Sequence, residues 1–337
     1  MLHAPRTSFR TLFSLLFLIG NGAYAASVSE TRPLYSFNQS PLIQIYGLPA
    51  LGEARVLAHN QSNLALRMQI ANNFTGARSN VELLNLDGEM HRLSLEWRQG
   101  LGGGMEWGAE LPYVSYTGGF LDSTIERFHK ATGLPQGGRE NVALNQIDFH
   151  YARNGVDLVN LDHSASGPGD LRLFAAKQLD VNKIFSDFDA ALRISLKLPT
   201  GNEKELLGSG STDLALWLSA ARTQGGNAWN PYGGAGVLLM SETKVLPSLQ
   251  RKYVGFGTLG VSHKFFPQLA FNLQVDGHSP FYEGSSYRQL SAYSAQGLAG
   301  ASWEISRRQF LEFSVSEDII TNTSPDVVFN FSFSTPF

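Results

Sequence analysis

The chain has 337 residues, a formal net charge of −3 and no basic cluster, which argues against a nucleic-acid partner. Its 34 glycines, 22 phenylalanines and 11 tyrosines, with only 16% charged residues, favour an all-β protein with many tight turns. Cysteine is absent, so no disulfide framework and no lipid-attachment cysteine is available. A mean hydropathy of −0.12 is compatible with a membrane barrel, whose strands alternate lipid-facing apolar with lumen-facing polar residues.

Residues 1–25 read as a secretory signal peptide. Arg6 and Arg10 give a basic start, residues 12–19 an apolar run, and Ala23, Tyr24 and Ala25 an A-x-A cleavage site. The run falls far short of the roughly 20 residues that a spanning helix needs. Export with cleavage near Ala26 is expected. Residues 26–53 carry Pro33, Pro41 and Pro49 and no sustained alternation. Two readings stand for them, a periplasmic lead-in or a segment folded into a lumen. Residues 54–337 form the predicted barrel.

From there, strand-like alternation recurs. Leu64, Leu66, Met68 and Ile70 alternate with Arg67 and Gln69; Leu93, Leu95 and Trp97 alternate with Arg92, Glu96 and Arg98. Later stretches follow the same pattern, and those at 212–222, 229–240, 253–265 and 292–305 are rich in Gly and Ala. From Gly100 onward short connections (99–104, 180–183, 224–227, 266–268, 306–309) alternate with long ones (117–141, 200–211, 241–252, 282–291, 321–325). Short periplasmic turns and longer external loops are how outer-membrane barrels are built, whereas a soluble sandwich has no reason to sort loops by end. The count is 12 strands. A hairpin at 143–161, around Asn154-Gly155, would make 14 if it joined the wall.

The last stretch, 326–337, places Val327, Phe329, Phe331, Phe333, Thr335 and Phe337 on one face. By itself it fits either the closing strand of a barrel or the last strand of a soluble β-sandwich. With the export signal and the sorted loops it reads as the barrel's closing strand. A C-terminal Phe there serves as an assembly signal, so the expected partners are membrane lipid and the barrel-assembly machinery. One segment departs from the β pattern: Leu121, Ile125, Phe128 and Thr132 have helical spacing, with Asp122 or Ser123 to cap the start and Gly133 to end it. This helix in an external loop is read as a packing device or as a lid over the pore mouth.

Several stretches together resemble a family of proteobacterial outer-membrane proteins catalogued as a domain of unknown function. They include Glu110-Leu-Pro-Tyr-Val114, Gly118-Gly-Phe-Leu-Asp122, Gly167-Pro-Gly-Asp-Leu171 and Leu196-Lys-Leu-Pro-Thr-Gly201. Leu246-Pro-Ser-Leu-Gln250, Gly255-Phe-Gly257, His278-Ser-Pro-Phe-Tyr282 and Pro325-Asp-Val-Val-Phe329 complete the set. A looser likeness is to barrels linked to the degradation of aromatic compounds. The resemblance implies a β-barrel in the outer membrane and brings no activity, substrate or site residues with it.

Chemistry is sparse. The glycines of 255–260 match a dinucleotide fingerprint but sit inside a strand-like run with no helix after it, so packing explains them better. The eight histidines lack metal-ligand spacing, and no cofactor is expected. His278, Ser279 and Asp276 raise the alternative of an outer-membrane lipid or lipopolysaccharide hydrolase. Neighbouring strand residues point to opposite faces, which argues against a Ser–His pair, although Pro280 can bend the chain. Asp170 and Asp213 follow glycine-rich turns at the outer rim. A shared calcium site is weighed there against solvated aspartates, and the second is preferred. Arg67, Arg92, Arg98, Arg172, Arg193 and Lys197 share the predicted lumen with Glu96, Glu106, Glu110, Asp276, Glu304 and Glu312. Both signs along one wall point to cross-strand pairing and a narrow or plugged channel. The expectation is a transmembrane antiparallel up-and-down barrel, a passive or gated pathway for small molecules, hydrophobic ones included, not an enzyme. A structural or assembly-associated envelope protein is the third reading.

Overall fold

The computed structural model describes residues 31–133, 142–181, 184–222, 229–306 and 309–337. The signal peptide expected at 1–25, the turn at 224–227 and the side chains of Phe128 and Thr132 lie outside the described residues. The strands are β1 (Ser62–Arg78), β2 (Glu82–Gly102), β3 (Met105–Thr117), β4 (Asp148–Arg153), β5 (Val156–Leu161), β6 (Ala165–Pro168), β7 (Arg172–Leu179) and β8 (Phe188–Lys197). They continue as β9 (Asp213–Arg222), β10 (Asn230–Met240), β11 (Tyr253–Phe266), β12 (Leu269–His278), β13 (Ser294–Ser306), β14 (Gln309–Asp318) and β15 (Val327–Pro336).

β1, β2, β3 and β7 to β15 form a closed antiparallel ring of twelve strands. β15 closes it on β1 through a register that runs from Asn63↔Pro336 to Asn72↔Val327. Closure leaves the wall without an open edge, which is what a sheet needs to cross lipid. The hairpin β4–β5 does not enter the wall. It turns at Asn154 and Gly155, both with positive φ, and outside the hairpin β4 pairs with Glu82–Asp87 at the far end of β2. β6 likewise adds to the end of β3.

Alternation explains the wall. Along β3, Met105, Trp107, Leu111 and Tyr113 are exposed outward while Glu106, Glu110, Val114 and Tyr116 are buried inward. The same parity exposes Leu93 and Leu95 on β2, Leu273 and Val275 on β12, and Phe313 and Phe331 on β14 and β15. A continuous apolar exterior of this size is the lipid-facing surface of a transmembrane barrel. Trp97 and Trp107 stack edge to face at 4.8 Å near one rim, where Trp229, Phe265 and Trp303 are also exposed. Tyr113, Tyr253 and Tyr293 stand exposed toward the other, so the apolar band has aromatic borders.

The rims differ. At one, β2 passes to β3 at Gly103-Gly104 and β11 to β12 at Pro267-Gln268; at the other lie the long loops. The expected helix α1 (Asp122–Thr132) forms in the longest loop, but not over the lumen. Leu121 and Ile125 pack on Val327, ringed by Ile70, Val315 and Phe329, all on the outward face of β15, β1 and β14. Asp122 fixes the start by accepting from Asn72 Nδ2 at 2.9 Å and from the Asn145 backbone N–H at 2.8 Å. The lid reading is therefore corrected: the helix clasps the closing seam from outside. A second helix, α2 (Arg288–Ser291), is a single turn and too short to leave a periodic trace in the sequence.

Candidate functional site: the occupied lumen

Residues 31–61 run through the barrel interior. Thr31 starts at the short-turn rim, its hydroxyl donating to the Arg222 carbonyl at 2.6 Å. The chain then climbs, with Leu34 N–H on Gln274 Oε1 and Tyr35 N–H on Glu312 Oε1, each at 3.0 Å. It reverses near residues 40–46, where Ile43 and Gln44 both donate to the Ser40 carbonyl. On the way down Gly47 N–H meets Asp213 Oδ2 at 2.8 Å, and the Trp217 indole donates to the Leu51 carbonyl at 2.7 Å. Leu57 N–H reaches Glu106 Oε2 at 2.8 Å, and Gly100 pairs with Asn60 and Gln61 just before β1 begins. Backbone groups buried in a lumen must find partners. Here wall side chains supply them, so the segment needs no strand ladder and shows no two-residue period.

The upper part of this passage is apolar. Leu42, Ile43, Ile45 and Tyr46 join Leu206, Leu246, Phe281 and Tyr282 of the long loops in one buried cluster, with Tyr46 and Phe281 stacked at 5.1 Å. The lower part is ionic. Arg98 bonds Glu53 Oε2 at 3.1 Å and Glu106 at 2.8 Å. Arg193 bonds Glu106 at 3.2 Å and also donates to the Glu53 carbonyl. Arg32 reaches Glu53 Oε1 at 2.5 Å and lays its guanidinium over the Phe310 ring at 4.0 Å. Burial alone would raise the Glu53 carboxyl, but Arg32, Arg98 and Arg193 outweigh it and bring it down to about 2.

Above this knot, Arg92 pairs with Glu110 at 3.0 Å and Arg67 with Glu96 at 3.1 Å. Arg172 donates to the carbonyls of Tyr46 and Leu48 at 3.0 and 3.3 Å. Asp276 accepts from Thr258 and Gln274, and Glu312 from Tyr35 and Ser302. The inward set named from the sequence is thus brought together by a segment the sequence did not assign. Glu304 stands apart, at the short-turn mouth. Arg32, Tyr35 and Glu53 were missed; the available signal was a charge pair bracketing a proline-spaced, otherwise nearly uncharged stretch.

The outer-rim residues need a correction. Asp170 and Asp213 are buried, not solvated, and converge on Lys197 Nζ at 2.5 and 3.3 Å. An ammonium holds the place where a shared cation was considered. Among the described residues, no group of three or more His, Asp or Glu side chains is placed to hold a metal. His278 is buried too. Its Nε2 meets Asn38 Nδ2 at 2.9 Å and its Nδ1 the Ser279 carbonyl at 2.9 Å, while the Ser279 hydroxyl accepts from the Gly255 N–H at 3.0 Å. Histidine and serine hydroxyl are thus engaged with other partners, and a nucleophile–base pair is not formed.

Among the described residues, cavities remain around the segment. A vestibule of about 320 Å³ opens at the short-turn rim beside Arg55, Lys264 and Glu304. An inner cavity of about 100 Å³ lies beyond it, beside Tyr35, Arg67, Arg172 and Trp217. Both are bordered by Arg32, Glu53, Arg98 and Phe310, which form the neck between them.

A closed twelve-strand wall with an apolar exterior and an occupied ionic lumen defines a transmembrane β-barrel protein. The chain belongs to the family described as Protein of unknown function (DUF3187), whose model matches residues 12–337. No curated protein matches it. Among solved structures it is similar to the COG4313 outer membrane channel from Pseudomonas putida F1, at 13% identity over 85% of this chain and 98% of that one, TM-score 0.55. It also matches the CymD monoaromatic hydrocarbon channel (10% identity, 83% and 89% covered, TM-score 0.39). A third match is the Ralstonia pickettii toluene transporter TbuX (8% identity, 83% and 90% covered, TM-score 0.39).

Proposed function

We propose that this protein is an outer-membrane channel for small solutes, kept shut by its own luminal segment. On this reading the short turns and both ends of the barrel face the periplasm, the long loops face outward, and the chain arrives after export and loss of residues 1–25. The observation that carries it is how residues 31–61 are held. Below the apolar turn at 40–46 they form no ladder with the wall: Leu48, Leu51 and Ala54 pack on wall side chains such as Trp217, and ion pairs and single hydrogen bonds make the polar contacts, beside cavities left in the lumen. A plug attached this way can leave without breaking a wall ladder. The charge on the lumen wall favours polar or amphipathic solutes over purely hydrophobic ones.

Planar-bilayer recording tests the reading. The intact chain should be closed or open only briefly, and a chain lacking 31–57 should conduct steadily. If that deletion fails to give the heat-modifiable band of a folded barrel, Glu53→Gln in the full chain should raise the open fraction instead. Folded barrels of both kinds that pass no ion and no solute into liposomes would refute it.

A further inference from the structure

The unmet hydrogen-bonding capacity beside the inner cavity is of one kind. Arg67 commits Nη2 to Glu96 and lays its guanidinium over the Tyr35 ring at 4.1 Å, while its Nε and Nη1 are buried without a hydrogen-bond partner among the described residues. Arg98 Nε, Arg172 Nε and the Tyr35 hydroxyl are buried and unpartnered as well. Guanidinium nitrogens donate and never accept, and a hydroxyl can donate. The carboxylates at the same place are already taken: Glu53 by Arg32 and Arg98, Glu96 by Arg67, Glu110 by Arg92 and Glu312 by the Tyr35 backbone N–H. The vestibule leading there carries Lys264, Arg55 (paired with Asp189 at 2.8 Å) and Glu304. Unpaired buried donors of charged groups are costly, so the occupant that relieves them is rich in acceptors and negatively charged. The lining also carries apolar side chains, with the rings of Phe174, Trp217 and Phe310 beside the cavity, and three serines, Ser195, Ser332 and Ser334.

We propose that the inner cavity is a binding site for the carboxylate of a small organic acid with a flat apolar body. Its carboxylate lies against Arg67 and Tyr35, and its body extends through the neck at Phe310 into the vestibule. The inference gives the solute class of the channel and rests on that reading for its physiological meaning.

The test is calorimetric titration of the folded full chain in detergent, with benzoate as probe, benzamide as its neutral counterpart and benzylammonium as its cationic one. Benzoate should bind saturably, with both counterparts at least about tenfold weaker, the loss expected when a charge-assisted hydrogen bond is removed. Arg67→Gln should weaken benzoate by a similar factor while keeping the heat-modifiable band. Should that variant misfold, Tyr35→Phe, which removes only the unpartnered hydroxyl, should weaken benzoate and leave benzamide unchanged. Equal affinity for benzoate and benzamide, indifference to both substitutions, or no saturable heat at all (a cavity holding water only) would overturn the site. Binding is read without a current, so the two proposals fail separately. A chain that binds benzoate but whose 31–57 deletion passes nothing keeps the site and loses the channel. One that conducts and ignores benzoate does the reverse.

Discussion

Lys197 shows at the scale of one residue how the wall tolerates buried charge. Its ammonium sits between Asp170 and Asp213 and also donates to Ser209 Oγ at 2.6 Å and to the Ser211 carbonyl at 2.9 Å. A buried ion pair is a modest asset while complete and a large liability once one partner is gone, about 3–5 kcal/mol. Lys197→Met should therefore lower the temperature at which the compact electrophoretic band converts to the extended one, and converting both aspartates to Asn should recover part of the loss. Glu53 gives a pH dependence. Its carboxyl is shifted from 4.5 down to about 2, so its hold on the segment is whole above pH 4.5 and is lost as the pH falls toward 2. Bilayer conductance should rise across that window in the intact chain, and Glu53→Gln should flatten the rise. Alternation in the sequence was enough to point Lys197 inward, but it treated Asp170 and Asp213 as solvated. Which charges meet depends on how loops fold back over the rim, and no local period records that.

At the scale of the element, strands were legible and destinations were not. A two-residue period with outward Leu, Val, Phe and Trp marks a wall strand, and the boundaries of β3, β12 and β15 follow it closely, whereas β1 runs on past Ile70 to Arg78. The hairpin β4–β5 announced its turn through Asn154-Gly155, yet its attachment to the end of β2 is long-range information. The helix α1 likewise announced its apolar stripe without saying what covers it. A stripe of Leu121 and Ile125 would serve equally on a lumen or on an outer wall; Val327 and Ile70, themselves outward, decide the matter. Burying an isoleucine is worth about 1.5–3 kcal/mol, so Ile125→Glu should free the loop more than tenfold more often. Trypsin should then cut after Arg127 or Lys130 faster in the variant, with the barrel's heat-modifiability unchanged. Equal cutting rates would show that the helix is not anchored by that contact.

For the whole molecule, twelve strands set an interior between two regimes. Barrels of about eight strands fill with their own side chains, and those of 16 to 18 leave an open channel. Two passes of residues 31–61 with their ion pairs occupy what lies between. The sequence pointed to a narrow or plugged lumen from the mixed charges, and left open where 26–53 lies, because a segment bonded by side chains of many strands carries no period of its own. The seam has its own test. Phe337 N–H meets the Ser62 carbonyl at 3.3 Å, a minor bond, and its ring is exposed. If Phe337 acts as an address for the assembly machinery, deleting it should sharply reduce folded barrel made in cells but hardly alter refolding of the purified chain in detergent. An equal defect in both would assign the residue to stability instead.

The path of the luminal segment has one topological consequence. Thr31 and Gln61 sit at the same rim, so the segment is a loop dropped into the ring from one side, not a thread passed through it. A ring can close first and receive such a loop afterwards, or give it back, with β1 and β15 still zipped together. Tension applied near Thr31 would draw it out like a cork on a tether, with Ser62 as the fixed point. Any agent that grips the chain there from the short-turn side has a mechanical route to opening the barrel that never touches the lipid-facing wall.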